Sequence, residues 1–169
     1  ELLRPYDCYL LSDEVYEHVV FDGAKHATAL AEAELAPRTF AVFSFGKTLH
    51  ATGLRVGYAV APAALSSELR KVHQFNTFTI ATCLQQGIAD YLADDPDCGA
   101  QLPAFFQAKR DRLAALLAAT PLRVLPSAGS FFLLADYGEF ADEDDVPFAN
   151  RMLEQAGVAC IPLSVFYQQ

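Results

Sequence analysis

Three short runs constrain the fold of this chain more than anything else in it: residues 8–12 (CYLLS), 39–43 (TFAVF) and 56–60 (VGYAV). Each is continuous and mostly apolar rather than alternating, as expected of strands covered on both faces. The first is followed at once by Asp13, Glu14, Tyr16 and Glu17. The second leads directly into Ser44, Phe45, Gly46 and Lys47, and the third ends at Ala61 and Pro62. A polar, Ala-rich connector separates the first two runs and holds a helix-like stretch, residues 28–35. Strand, crossover, strand predicts an α/β sheet of mostly parallel order.

Beyond Pro62 the pattern becomes helical. Residues 63–74 place Leu65, Leu69 and Val72 at helical spacing, and residues 82–92 read as a second helix. A long third helix is expected over 97–119, with Leu113, Leu116 and Leu117 facing inward and Pro121 ending it. Two strand-like runs, 122–125 and 130–135, flank the turn Pro126, Ser127, Ala128, Gly129. A helix over 146–155 should end at Gly157 as its C-cap, and 158–161 reads as a last strand. The acidic cluster at 142–145 suits a helix N-terminus, where carboxylates complement the dipole. The change of texture divides the chain into an α/β part, residues 1–95, and a part from 96 to 169 with the long helix and a small α+β region.

Composition narrows the function classes. A hydrophobic content of 53%, with 13 Phe and 7 Tyr, can fill a sizeable core. No uncharged apolar stretch reaches the length of a membrane span, and a net charge of −9 argues against a nucleic-acid surface. Cys8, Cys83, Cys98 and Cys160 are scattered and form no CxxC pair, which suits reduced thiols in the cytoplasm. His18, His26, His50 and His73 show no metal-ligand spacing, so no metal is expected. The chain opens at Glu1 and stops just after an apolar run, so it is expected to be a piece of a longer protein.

Two clusters carry chemistry. Lys47 follows a buried strand and a glycine, a setting that would partly desolvate its ammonium and favour the neutral amine that attacks a carbonyl. Ser44 and Arg55 flank it with a hydroxyl and a guanidinium, both suited to phosphate oxygens. Asp13 lies at the carboxyl end of the first run, the edge where parallel α/β sheets collect ligands. A carboxylate there could stabilise a protonated pyridine nitrogen, and Tyr16 could donate to a phenolic oxygen. In isolation, a turn residue at 13, a core tyrosine at 16 and a structural lysine at 47 remain open.

The order and spacing of these clusters resemble the class I/II aminotransferases of fold type I, closest to the methionine and kynurenine aminotransferase branch. The resemblance is carried by SDEVYEHVVFDG, SFGKTLHATGLRVGYAVAP, QFNTFTIATCLQQGIADYL, LPAFFQAKRDRL and GVACIPLSVFY, and it runs over nearly the whole chain. It implies part of that fold's large domain followed by a truncated small domain. It also implies pyridoxal 5'-phosphate as cofactor. Lys47 would form the Schiff base with it and later carry a proton between the substrate Cα and the cofactor C4′. Asp13 would pair with the ring nitrogen, Tyr16 with the ring oxygen, and Ser44 and Arg55 with the phosphate. Residues 126–130 would close over substrate, and residues 75–79 would lie near the active site of the partner in a homodimer.

The pattern departs from the family at His50, where a small residue is usual. The family's glycine-rich phosphate turn, ring-stacking aromatic, asparagine and substrate-carboxylate arginine have no counterparts here. Arg110, Arg112 and Arg151 lie in helical patterns and are expected to be solvated. The implied reaction is transamination of an amino acid, such as methionine, an aromatic amino acid, glutamine or kynurenine, with a 2-oxo acid. A carbon–sulfur β-lyase shares the same lysine and ring contacts. An inactive piece serving only as a folding or interaction module is the third reading. The chain alone is expected to bind cofactor weakly and to turn over little or nothing.

Overall fold

The computed structural model describes residues 2, 3 and 5–168. The first two apolar runs form β1 (Leu10–Asp13) and β2 (Thr39–Ser44), which pair in parallel with Asp13 opposite Val42. The third forms β3 (Gly57–Val60), antiparallel to β2, with Ser44 opposite Gly57. β2 is therefore central and buries Thr39 and Ala41 completely. β1 is an edge strand covered on one face only: Leu10 and Ser12 are half-buried, while Leu11 is 70% exposed. The expected cover on both faces is thus corrected for β1, and β3 is likewise exposed along its length.

Gly57 is needed where β2 and β3 meet. A Cβ at this position would lie 2.4 Å from the Phe43 carbonyl oxygen, a backbone atom that cannot turn aside. Gly57→Ala is expected to destabilise the chain by about 3 kcal/mol. A urea midpoint unchanged in this variant would refute so close an approach of the two strands.

Residues 28–35 do not form the expected α-helix. Two 3-10 turns, Ala29–Ala31 and Ala36–Arg38, stand in its place. The Ala29 amide donates to Glu14 Oε1 (3.0 Å) and the Leu30 amide to Thr28 Oγ1 (3.1 Å). Side chains thus engage the first amides, and Pro37 interrupts any continuation.

A single helical turn, α1 (Phe45–Thr48), follows β2 and is not among the expected helices; α2 (Ala63–Asn76), α3 (Thr82–Asp94) and α4 (Leu102–Leu117) fall close to expectation. α4 begins later than residue 97 because successive turns, closed by the amides of Cys98, Ala100 and Leu102, precede it. Pro103 in its first turn suits the new start. Leu113 and Leu116 are exposed rather than inward.

The chain forms two compact units. One comprises residues up to Arg110 together with Ser127–Phe132; the other comprises Asp111–Pro126 and the residues from Leu133 onward. The division between these units falls inside α4. The first turns of α4 are held in the first unit, with Phe105 and Phe106 against His50 and Phe106 against Phe131.

In the second unit the strand-like runs shorten to β4 (Arg123–Val124) and β5 (Ala135–Asp136), an antiparallel pair with an Arg123–Asp136 ion pair. α5 (Asp145–Ala156) ends as expected at Gly157, whose φ of 65° is the left-handed conformation glycine tolerates. Its buried Phe148 stacks on Tyr137 with ring centroids 4.0 Å apart. Asp145 accepts from the backbone and hydroxyl of Ser164, so the start of α5 is tied to the turn Ser164–Phe166. Residues 158–161 form no strand, since no described strand pairs with them. Among the described residues no helix is long and apolar enough to cross a membrane.

Candidate active site

The register of the sheet gathers the candidate residues. Asp13 ends β1 opposite Val42, and Ser44 lies two residues further along β2 at the same edge. Lys47 follows in α1, the one-turn helix that begins where β2 stops. Because Ser44 pairs with Gly57, Arg55 sits two residues before β3, again beyond that edge. Tyr16 follows Asp13 after a turn in which the Val15 amide donates to Asp13 Oδ1 at 3.3 Å. Asp13, Tyr16, Ser44, Lys47 and Arg55 therefore lie at or just beyond one end of the sheet, where α/β proteins bind ligands.

Lys47 is half-buried, and its Nζ lies over two aromatic faces, 5.0 Å from the Phe131 centroid and 5.6 Å from that of Tyr16. Such faces attract a cation without fixing it in an ion pair. The Tyr16 ring meets Phe131 edge-on at 5.0 Å and Phe132 at 6.2 Å. Burial, and secondarily the nearby Asp13 carboxylate, raise the Tyr16 phenol above its ordinary pKa, so it stays a hydrogen-bond donor at neutral pH.

Ser44 caps α1 with extended backbone, but its side chain makes no cap hydrogen bond. Gly46 lets the chain turn tightly there: a Cβ would lie 3.0 Å from the Thr52 Cα and 3.2 Å from Ser44 Oγ. Arg55 is exposed, in the left-handed conformation at φ 56°, and donates to the Thr52 carbonyl at 3.1 Å. His50, also left-handed, packs against Phe105 and Phe106 in α4.

Three contributors were not singled out from sequence as parts of this site. Glu14 is almost fully buried and accepts from the Ala29 amide, with its other oxygen 2.8 Å from His26 Nε2. Burial acts to raise its pKa; hydrogen bonds from His26, Thr28, the Ala29 amide and Ser12 outweigh this and hold the carboxyl below its ordinary value. The signal was the strand alternation, which continues past Asp13 and turns Glu14 inward. Phe131 follows Ser130, held at φ 68°, and arrives beside Lys47 from far along the chain. Arg110, expected to be solvated, is instead largely buried, with its side chain 16% exposed and paired to Asp22. Arg151 likewise pairs with Glu143.

The profile of the family described as aminotransferase class I and II matches residues 1–169. The chain belongs to that family. The methionine aminotransferase of Escherichia coli is 47% identical over 98% of this chain and 43% of its own length. Kynurenine–oxoglutarate transaminase 3 of Rattus norvegicus is 33% identical over 98% of this chain and 40% of its own. The solved E. coli methionine aminotransferase superposes with a TM-score of 0.90 over 95% of this chain and 43% of that one, again at 47% identity. The N-succinyldiaminopimelate aminotransferase of Mycobacterium tuberculosis gives 0.87 at 34% identity over 95% of this chain and 42% of that one. This chain thus spans about two fifths of the length of the relatives it matches, and its α/β architecture is part of the fold type I aminotransferase fold. Members of the family generally depend on pyridoxal phosphate and act on amino acids and oxo acids.

The donor set suits that cofactor. It offers an amine without an ion-pair partner among the described residues, a protonated phenol, an exposed carboxylate, a hydroxyl free of its helix cap and an exposed guanidinium.

Proposed function

We propose that this chain contributes the lysine-bearing part of a transaminase that moves an amino group from an amino acid to a 2-oxo acid with pyridoxal 5'-phosphate. The observation that supports the reading is the shared sheet edge, where strand register aligns Asp13 and Ser44, Lys47 and Arg55 lie just beyond the paired strands, and Lys47 Nζ lies over the Tyr16 ring. When bound, the cofactor supplies an aldehyde and an electron-withdrawing ring.

Each residue then has a role its chemistry permits. Asp13 holds the protonated ring nitrogen, and Tyr16 donates to the ring oxygen. The Ser44 hydroxyl and the Arg55 guanidinium take the phosphate oxygens, the latter able to bind two at once. Lys47 Nζ would be the amine that holds the aldehyde carbon, with the aldehyde oxygen leaving as water, and would carry a proton at the substrate Cα. Its aromatic seat supports this second task, because no carboxylate among the described residues pairs with the ammonium. Methionine is the proposed donor, by similarity to the E. coli enzyme. Phe75 and Phe78, 88% and 75% exposed around the end of α2, are proposed to face the partner subunit of a cytoplasmic homodimer.

Titration with pyridoxal phosphate tests the site. A shifted absorption band should appear, and borohydride reduction followed by mass spectrometry should place the cofactor on Lys47. Absence of both refutes cofactor binding by this chain. Arg55→Met should weaken cofactor affinity by about tenfold to a hundredfold, the worth of a charge-assisted hydrogen bond. An unchanged affinity removes Arg55 from the phosphate site. Ammonia release without an oxo-acid acceptor would mark lyase chemistry instead.

A further inference from the structure

We propose that Arg110 is a positioning residue that fixes Phe131 beside the Lys47 ammonium, acting through the segment Ser127–Phe132. Its guanidinium grips the Asp22 carboxylate with two hydrogen bonds, Nη1 to Oδ2 at 2.6 Å and Nη2 to Oδ1 at 3.0 Å. Nη1 also donates to the Ser127 carbonyl at 2.6 Å, and the group lies over the Phe21 ring, 4.9 Å from its centroid. One side chain therefore ties together two segments that are distant in sequence.

The clasp continues along both segments. The Phe21 amide donates to the Ala128 carbonyl (2.9 Å), Val20 and Gly129 form an antiparallel bridge, and the Ser130 amide donates to the Val19 carbonyl (2.8 Å). The approach is close enough that a Cβ on Gly129 would lie 2.8 Å from the Val19 oxygen. At its far end Ser130 turns into the left-handed region, and its hydroxyl accepts the Phe132 amide at 2.9 Å. That turn delivers Phe131 against Tyr16 and beneath Lys47 Nζ.

Asp22 is itself held ready. It has a φ of 57°, its amide donates to Gln107 Oε1 at 3.0 Å, and hydrogen bonding by Arg110 keeps its carboxyl below the usual pKa. Arg110 and Gln107 lie one turn apart in α4, so the helix presents both groups to the same loop. A lysine could meet Asp22 or Ser127 but not grip both, because it lacks the planar fork.

The functional weight of this arrangement rests on Lys47 being the reacting amine; the geometry it predicts does not. The test uses NMR of the 169-residue chain together with capture of Lys47 by pyridoxal phosphate and borohydride. In Arg110→Met the contact between the Lys47 ε-methylene and the Phe131 ring should disappear. Exchange of the Ser130 amide should quicken by about tenfold, while the Glu14 amide, bonded to Val42 in the sheet, stays protected. Capture of Lys47 should slow by about fivefold as its seat loosens. Arg110→Lys should recover part of each effect.

A folded Arg110→Met protein that keeps the Lys47–Phe131 contact overturns the proposal. Should that variant not fold, Asp22→Asn keeps the guanidinium but weakens its anchor, and an unchanged Ser130 exchange rate there overturns it equally. Wild-type protein that shows the contact but no capture at Lys47 counts against the transaminase reading alone.

Discussion

Replacing Lys47 by alanine is expected to abolish covalent capture of pyridoxal phosphate and, in the full-length protein, to lower amino transfer by about a thousandfold or more. On the proposed reading the side chain would serve twice, as the nucleophile toward the aldehyde and as the base at the substrate Cα. Two other lysines are engaged elsewhere: Lys71 pairs with Glu68, and Lys109 lies over Phe105 in α4. Lys47→Arg should fail in the same way, since a guanidinium stays protonated and does not attack a carbonyl. The measurement is the shifted absorption band together with the mass of the reduced adduct. A band that survives in Lys47→Ala would reassign the reacting amine. Denaturation of the variant should show little loss of stability, because Lys47 makes no ion pair among the described residues.

The second large effect concerns stability. Glu14→Ala should cost about 3 kcal/mol at neutral pH, since it leaves the Ala29 amide and the His26 ring without their acceptor in a buried setting. The sign of the pH dependence follows from the lowered folded pKa of Glu14. Its stabilising contribution is complete above the unfolded value, near about 4.3, and is lost as pH falls through the folded one. The difference between wild type and Glu14→Ala should therefore shrink in acid. Urea titrations at pH 7 and pH 3 measure this. A difference that stays constant, or grows in acid, would show that the carboxylate is not what holds the 26–29 connector.

Much of the site was legible because its residues lie close to strands that announce themselves. Runs such as TFAVF allow little but a buried strand, and once β2 is placed, Ser44 and Lys47 must follow at its end. Gly57 and Arg55 are then positioned by the return strand. Legibility failed where a distant group decided a local question. The Ala-rich connector has every propensity for helix, yet Glu14 takes its Ala29 amide from another part of the chain. Phe131 was visible only as one aromatic among many, because its neighbourhood is made by the Arg110–Asp22 clasp and not by its own spacing. The reading of 158–161 as a strand failed for a related reason: an apolar run is a strand only when another strand pairs with it.

The antiparallel pairing of Ser44 with Gly57 also bears on how the chain reaches its native state. Lys47 lies within the short connection between β2 and β3, whereas the pairing of β1 with β2 must close a connection roughly twice as long, an added entropic cost of about 0.6 kcal/mol. Loop entropy therefore favours assembly of the lysine hairpin ahead of the strand that carries Asp13. The backbone that carries the lysine is set by its immediate neighbours in sequence, and the carboxylate arrives against a partner strand already formed.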